Sequence, residues 1–154
     1  MSLVVLKFGG SSLATLARIS HVADIILSHR KRGEQVAVVV SAMANVTDDL
    51  LKLAQDIGSS FCGREQAALL ATGEMQSSCL LAMALLKRNV KAKSFNAFQL
   101  SLLGQGGYAD SVPQQMDTSR IKNCLQDDWV PIVTGFQGIN DAGDLINFGR
   151  SGSD

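Results

Sequence analysis

Apolar and polar positions follow two rhythms along this chain. Leu3 to Phe8 (LVVLKF) is a short, β-branched run followed by two glycines, which predicts a buried strand ending in a turn. Leu16, Ile19, Val22, Ala23, Ile26 and Leu27 then recur at helical spacing, with Arg18, Asp24, Ser28 and Arg30 between them. This spacing predicts an amphipathic helix from about Leu13 to Lys31. Gly33 stands where a left-handed cap would follow. Gln35 to Ser41 (QVAVVVS) reads as a second buried strand. Thr47, Asp48 and Asp49 are suited to cap and charge the start of a helix over Leu50 to Ile57. Continuous apolar strands joined by a crossover helix imply α/β architecture, with a parallel sheet covered on both faces.

The remainder continues in the same style. Gly58 to Gly63 reads as a loop. Arg64 to Asn89 is strongly helical, with Thr72-Gly73 as the point where it could break. Lys91 to Phe95 predicts a strand, Gly104 to Pro113 a glycine-rich loop, and Asp117-Thr118-Ser119 the start of a helix to about Gln126. Val130 to Thr134 is a strand, Gly135 to Gly138 a tight turn, and Ile139 to Phe148 a hairpin around Asn140 to Gly143. Met43, Met75 and Met83 read as core filler, and Trp129 as packing at the base of the sheet.

Composition narrows the function classes. The 154 residues suffice for one domain or one piece of a larger one, and 46% apolar residues suffice for a core. Fourteen Lys and Arg balance fourteen Asp and Glu, so there is no charge footprint for nucleic acid or an anionic membrane. The longest apolar run, Cys79 to Leu86, is far short of the ~20 residues of a membrane span. No secretory signal pattern opens the chain. Cys62, Cys79 and Cys124 are odd in number and widely spaced, the expectation for reduced thiols of a cytoplasmic protein. His21 and His29 both fall in predicted helix, so neither a zinc site nor a histidine triad is supported, and no metal ligands are assigned.

Four short segments can carry chemistry. Lys7-Phe8-Gly9-Gly10-Ser11-Ser12 lies between a strand and a helix: either a phosphate cradle or a plain turn capped by Ser11 or Ser12. Ser41-Ala42-Met43 ends the second strand, with Thr47 beyond it as a ligand contact or an N-cap. Glu74 follows Thr72-Gly73, where a carboxylate could hold an ammonium or satisfy a helix dipole. Gly149 to Asp154 (GRSGSD) offers Arg150 for a carboxylate, Ser153 as donor and Asp154 to orient a lysine, or is an ordinary polar turn.

Taken together, KFGGSS at 7–12, VVVSAM at 38–43 with Thr47, LLATGE at 69–74, and TGFQG with GRSGSD over 134–154 resemble the aspartate kinase family of the amino acid kinase superfamily. The resemblance implies a three-layer αβα fold with a mostly parallel central sheet. It implies that residues 1–154 are the N-terminal, amino-acid-binding and phosphate-loop part of the catalytic domain, the nucleotide-binding half and regulatory domains lying beyond it. Lys7, Phe8, Gly9, Gly10 and Ser11 match the segment that holds the ATP phosphates. Ser41, Thr47, Glu74, Arg150, Ser151, Gly152 and Ser153 match substrate contacts, with Glu74 toward the amino group. Lys7 and Asp154 match catalytic residues. The implied reaction is ATP plus L-aspartate giving 4-phospho-L-aspartate, with Mg²⁺ carried by ATP, as the first step toward lysine, threonine and methionine. The chain departs from the family at Ser151 (usually Gly), at Ile146 and Asn147 (usually Thr), at Phe98 (usually Trp) and over Asp110 to Gln114. Two other readings stand beside it: a non-catalytic aspartate or phosphate binding module, and a kinase for another amino acid. The isolated chain is expected to turn over little, and to associate through an uncovered sheet edge or as a homo-oligomer.

Overall fold

The computed structural model describes residues 2–58 and 63–149. In chain order the elements are β1 (Leu3–Phe8), a 3₁₀ turn (Gly10–Leu13), α1 (Leu16–Lys31), β2 (Gln35–Val40), α2 (Val46–Ile57), α3 (Gly63–Leu86) and β3 (Ala92–Phe95). They continue as β4 (Leu103–Gln105), β5 (Val112–Gln115), α4 (Ser119–Gln126), β6 (Val130–Thr134), β7 (Gln137–Ile139) and β8 (Leu145–Asn147).

The β-branched runs build one parallel sheet in the order β1-β2-β6-β3. Strand alternation sends Val36, Val38, Val40, Val130 and Ile132 to one face. There they meet Ile19, Val22 and Ile26 of α1 and Leu81 and Leu85 of α3, all at most 2% exposed. On the other face α4 lies over β6 and β2, where Gln35 Nε2 donates to Leu125 O at 2.9 Å, with Cys124 and Ile121 packed among Phe95, Leu100, Trp129 and Val133. Helices thus flank a mostly parallel sheet on both sides, the three-layer α/β arrangement expected. A second sheet, β5-β4-β7-β8, is antiparallel except where Leu103 of β4 pairs in parallel with Ile139 of β7.

Several expectations change. β1 is not wholly buried: Leu3 and Val5 are exposed, because β1 is an edge strand and α4 does not reach its outer face. The first helix starts at Leu16, after the separate 3₁₀ turn, and its cap is Thr15, whose hydroxyl accepts the Arg18 N–H at 3.2 Å. α2 begins at Val46, so Thr47 lies in the first turn and is not the N-cap; Asn45 holds that place at φ +68. α3 runs through Thr72-Gly73 without a break. The glycine-rich stretch 104–113 is not all loop but contributes to the β4–β5 hairpin. Met83 is exposed, not core. The loop expected over Gly58 to Gly63 lies largely outside the described residues, and Gly63 opens α3. Gly33 does take the left-handed conformation, at φ +79.

Among the described residues, one helix, Gly63–Leu86, is long and apolar enough to cross a membrane by length and composition, although no continuous apolar run predicted it. It is the helix that joins the two sheets, with half of its most apolar window buried inside the fold.

Candidate functional site at the carboxyl ends of β1 and β2

β1 and β2 run in register, Lys7 beside Val39 and Phe8 beside Val40, so their carboxyl ends finish side by side. Ser41 N–H donates to Phe8 O at 3.0 Å, and Ala44 N–H donates to Gly10 O at 3.1 Å. The Gly9-Gly10 turn therefore lies directly against the turn that follows β2. A methyl group at Gly10 would sit 3.0 Å from Ala42 O, so this approach requires glycine. Gly9 is different: a side chain there would meet nothing within 4 Å. Lys7 projects on the same face of β1 as Leu3 and Val5, and it is exposed. Neither Ser11 nor Ser12 caps α1. They lie in the 3₁₀ turn, where Ser12 N–H donates to Gly9 O at 3.0 Å.

Glu74 enters from α3. It lies in mid-helix, twelve residues from Leu86, so the helix-dipole reading falls. Gly73 beside it makes room: a Cβ there would stand 3.0 Å from Ala42 Cβ and 3.3 Å from Val46 Cγ1. The helix thus rests against the β2–α2 turn. Glu74 is 3% exposed. Its Oε1 accepts the Ala42 N–H at 3.1 Å, while Oε2 is buried without a hydrogen-bond partner. Burial pushes its pKa up from 4.5 to about 7, and the Ala42 hydrogen bond offsets only part of that. Ser77, one turn on, donates to Ser41 O at 2.7 Å and binds the same turn to α3.

The structure therefore sets the Gly9-Gly10 turn against Ser41 to Ala44 and Glu74 against Ala42, while the Lys7 side chain leaves β1 on the face of the sheet opposite α3 and Thr47 lies in the first turn of α2. Arg150, Ser151, Gly152, Ser153 and Asp154 lie outside the described residues. Sequence reasoning missed Ser77, although its i+3 spacing from Glu74 puts it on the same side of the helix. It also missed the backbone N–H of Ala42, for which no sequence signal exists. Gln137 appeared only as part of a motif, without a role. A cavity of about 500 Å³ lies elsewhere, on the open face of the parallel sheet. Its lining is apolar, including Val5, Val39, Val133 and Phe148, and it contains none of Lys7, Ser41 or Glu74. The candidate residues at the strand ends lie outside this hollow. Among the described residues, no three His, Cys, Asp or Glu side chains gather as metal ligands.

The fold is an α/β domain whose candidate site lies beyond the carboxyl ends of two parallel strands. The amino acid kinase family model matches residues 2–154, and the chain belongs to that family. The aspartokinase of Geobacillus stearothermophilus is 40% identical over 154 residues, covering 100% of this chain and 38% of that protein. The aspartate kinase of Synechocystis superposes with a TM-score of 0.79 at 36% identity, over 99% of this chain and 25% of that one. E. coli aspartokinase III, solved in complex with aspartate and ADP, superposes with a TM-score of 0.82 at 20% identity, over 99% of this chain and 44% of that one. That last likeness bears on the fold alone. The chain spans 38% of the length of the Geobacillus relative, and its architecture is that of an aspartokinase-like amino acid kinase domain.

Proposed function

We propose that this domain binds L-aspartate and ATP for transfer of the γ-phosphoryl group to the side-chain carboxylate, in the cytoplasm, as the N-terminal part of an aspartate kinase catalytic domain. The observation that carries the reading is the Glu74 carboxylate, buried with one oxygen bonded to the Ala42 N–H and the other without a partner, on the turn that packs against Gly9-Gly10. A buried acceptor with no donor favours a ligand that brings one, and an α-ammonium brings a charge as well. Ser41 and Thr47 line the same turn. Arg150 to Ser153 are assigned to the substrate carboxylates by resemblance, and Asp154 to orienting Lys7.

The side chains present fit a nucleoside triphosphate with its Mg²⁺. Lys7 supplies a full positive charge, Gly9 leaves the backbone open to close approach, and Ser11 adds a hydroxyl. When bound, ATP supplies the phosphoryl group, and its metal would be carried with the phosphates. A substrate carboxylate is already ionised at neutral pH, so no general base is required. The chain's own contribution is to position two anions against each other and to neutralise them.

Calorimetry with L-aspartate and with succinate tests the amine-binding reading. Aspartate is expected to bind at least tenfold more tightly, since succinate lacks the amine. Equal affinity, or no heat with aspartate, would overturn it. A coupled assay for ADP is expected to show little turnover by the chain alone. Binding of aspartate without any turnover, even when a full-length relative's remaining segment is fused on, would instead assign a binding module.

A further inference from the structure

We propose that Gln137 is a positioning residue for the Glu74 site: its buried amide sets the height of α3 and so holds the Glu74 carboxylate against the Ala42 N–H. The inference rests on the reading of Glu74 as an ammonium anchor, and it assigns a role to a residue outside that site.

Gln137 is fully buried, at 0% exposure, yet it carries a polar amide. Both ends of the amide are used on backbone. Nε2 donates to Ala71 O of α3 at 3.0 Å, and Oε1 accepts the Ala97 N–H, just after β3, at 3.3 Å. Such a residue is costly to bury and contributes nothing apolar to a core, so its value lies in what it holds. Its cross-strand partner in the β7–β8 pair is Asn147. Asn147 is 1% exposed, and its Nδ2 donates to Ala67 O at 3.3 Å. Two opposed amides therefore grip successive turns of α3, at residues 67 and 71. Glu74 and Ser77 follow at spacings of three, on the side of the helix that meets the β2–α2 turn. α3 is thus hung from the second sheet at one end of this stripe and tied to β2 at the other.

The backbone leading into Gln137 is also unusual. Gln137 N–H closes a three-residue turn on Gly135 O at 2.8 Å. Phe136, between them, has φ +63, a region that bulky side chains avoid. Gly135 N–H is in turn fixed to Val40 O at 2.8 Å, at the end of β2. Backbone strain of this kind persists where the surroundings over-determine it. Here it swings the chain directly from the end of β6 so that the amide points at α3. The same turn thereby links the end of β2 to the helix that carries Glu74.

The test replaces the amide by an apolar chain of similar length, Gln137→Met, and follows the Glu74 carboxyl carbon by NMR as pH is varied, with no ligand present. In the wild-type chain Glu74 titrates near 7. With the hold on Ala71 released, α3 shifts, water reaches the carboxylate, and the midpoint falls toward the ordinary carboxylate range. Leu125→Ala, on α4 across the sheet, serves as control: it loses stability by another route and should leave the midpoint in place. If Gln137→Met does not fold, Gln137→Asn replaces it, since an amide one carbon shorter cannot span both partners, and the same downward move is expected. An unchanged midpoint in the folded variant, or an equal shift in Leu125→Ala, overturns the proposal. In a second arm, aspartate affinity should fall at least tenfold in the Gln137 variant. Failure of the wild-type chain to bind aspartate would strike the ammonium reading of Glu74 and leave the NMR arm to decide on Gln137.

Discussion

Glu74 gives the molecule a pH dependence whose sign can be worked out. Its folded pKa, about 7, lies above the 4.5 it would have unfolded. The folded chain holds this proton more tightly than the unfolded one. The associated stability is therefore fully present below about pH 4.5 and is lost as pH rises through 7. The shift corresponds to roughly 3 kcal/mol, at ~1.36 kcal/mol per pKa unit. Urea unfolding should show the wild-type chain losing stability relative to Glu74→Gln across that window, with a constant difference above it. An ammonium ligand prefers the ionised carboxylate, so aspartate affinity should rise over the same range. Glu74→Gln should bind aspartate at least tenfold more weakly and lose that pH dependence; calorimetry at three pH values reads both. Lys7→Met should weaken ATP binding by about tenfold at low ionic strength, with a smaller penalty in salt. At this scale the sequence located Lys7 and Ser41 at the carboxyl ends of β1 and β2, because glycines and serines mark the ends of apolar strands. It was not informative about the burial of Glu74. Thr72-Gly73 reads as a break by local propensity, and only the close approach to Ala42 explains why a glycine stands inside a continuous helix.

Among the elements, the parallel strands were legible because β-branched runs buried on one or both faces leave a continuous apolar signal. The second sheet was not. β4 and β5 have three and four residues, every position of β5 is exposed, and the pairing of β4 to β7 is long-range. Gly104, Gly106, Gly107 and Pro113 then read as loop on local grounds. Gly104, and Gly138 on the neighbouring strand, have a packing reason instead. A Cβ on Gly138 would lie 2.6 Å from Phe148 Cζ, and one on Gly104 would lie 2.8 Å from Phe148 Cε1. The Phe148 ring fills the space that both leave. Gly138→Ala should therefore destabilise the chain by about 1–3 kcal/mol in urea unfolding, as overpacking does. Gly9→Ala provides the contrast. Gly9 has φ −77, and an added methyl would meet nothing within 4 Å, so stability should stay within about 0.5 kcal/mol of wild type. If the turn cradles phosphate, the added methyl should still weaken ATP binding measurably. A glycine needed for packing and a glycine needed for a ligand are separated by comparing the two losses.

For the molecule as a whole, the unbalanced feature is the parallel sheet. One face is closed by α1 and α3, but among the described residues α4 lies over β6 and β2 and leaves the other face of β1 open. β1 is an edge strand, with Leu3 at 53% and Val5 at 64% exposure, and the adjacent apolar cavity is about 500 Å³. Parallel sheets are ordinarily covered on both faces, and an apolar edge strand is a template for further pairing. With a formal net charge of zero, long-range repulsion offers little opposition to contact between copies. The chain is therefore expected to self-associate through β1 and this face, and sedimentation velocity over a hundredfold concentration range should show the weight-average mass rising. Val5→Lys places a charge on the open edge strand and should return the chain to monomer. Met83→Lys, at an exposed position of α3 on the closed side, should leave association unchanged. Because Val5 lies away from Glu74, the Glu74 titration should also be unchanged in Val5→Lys. A chain that stays monomeric throughout, or a Met83 variant that dissociates as fully as the Val5 variant, would show that this face is not what brings copies together.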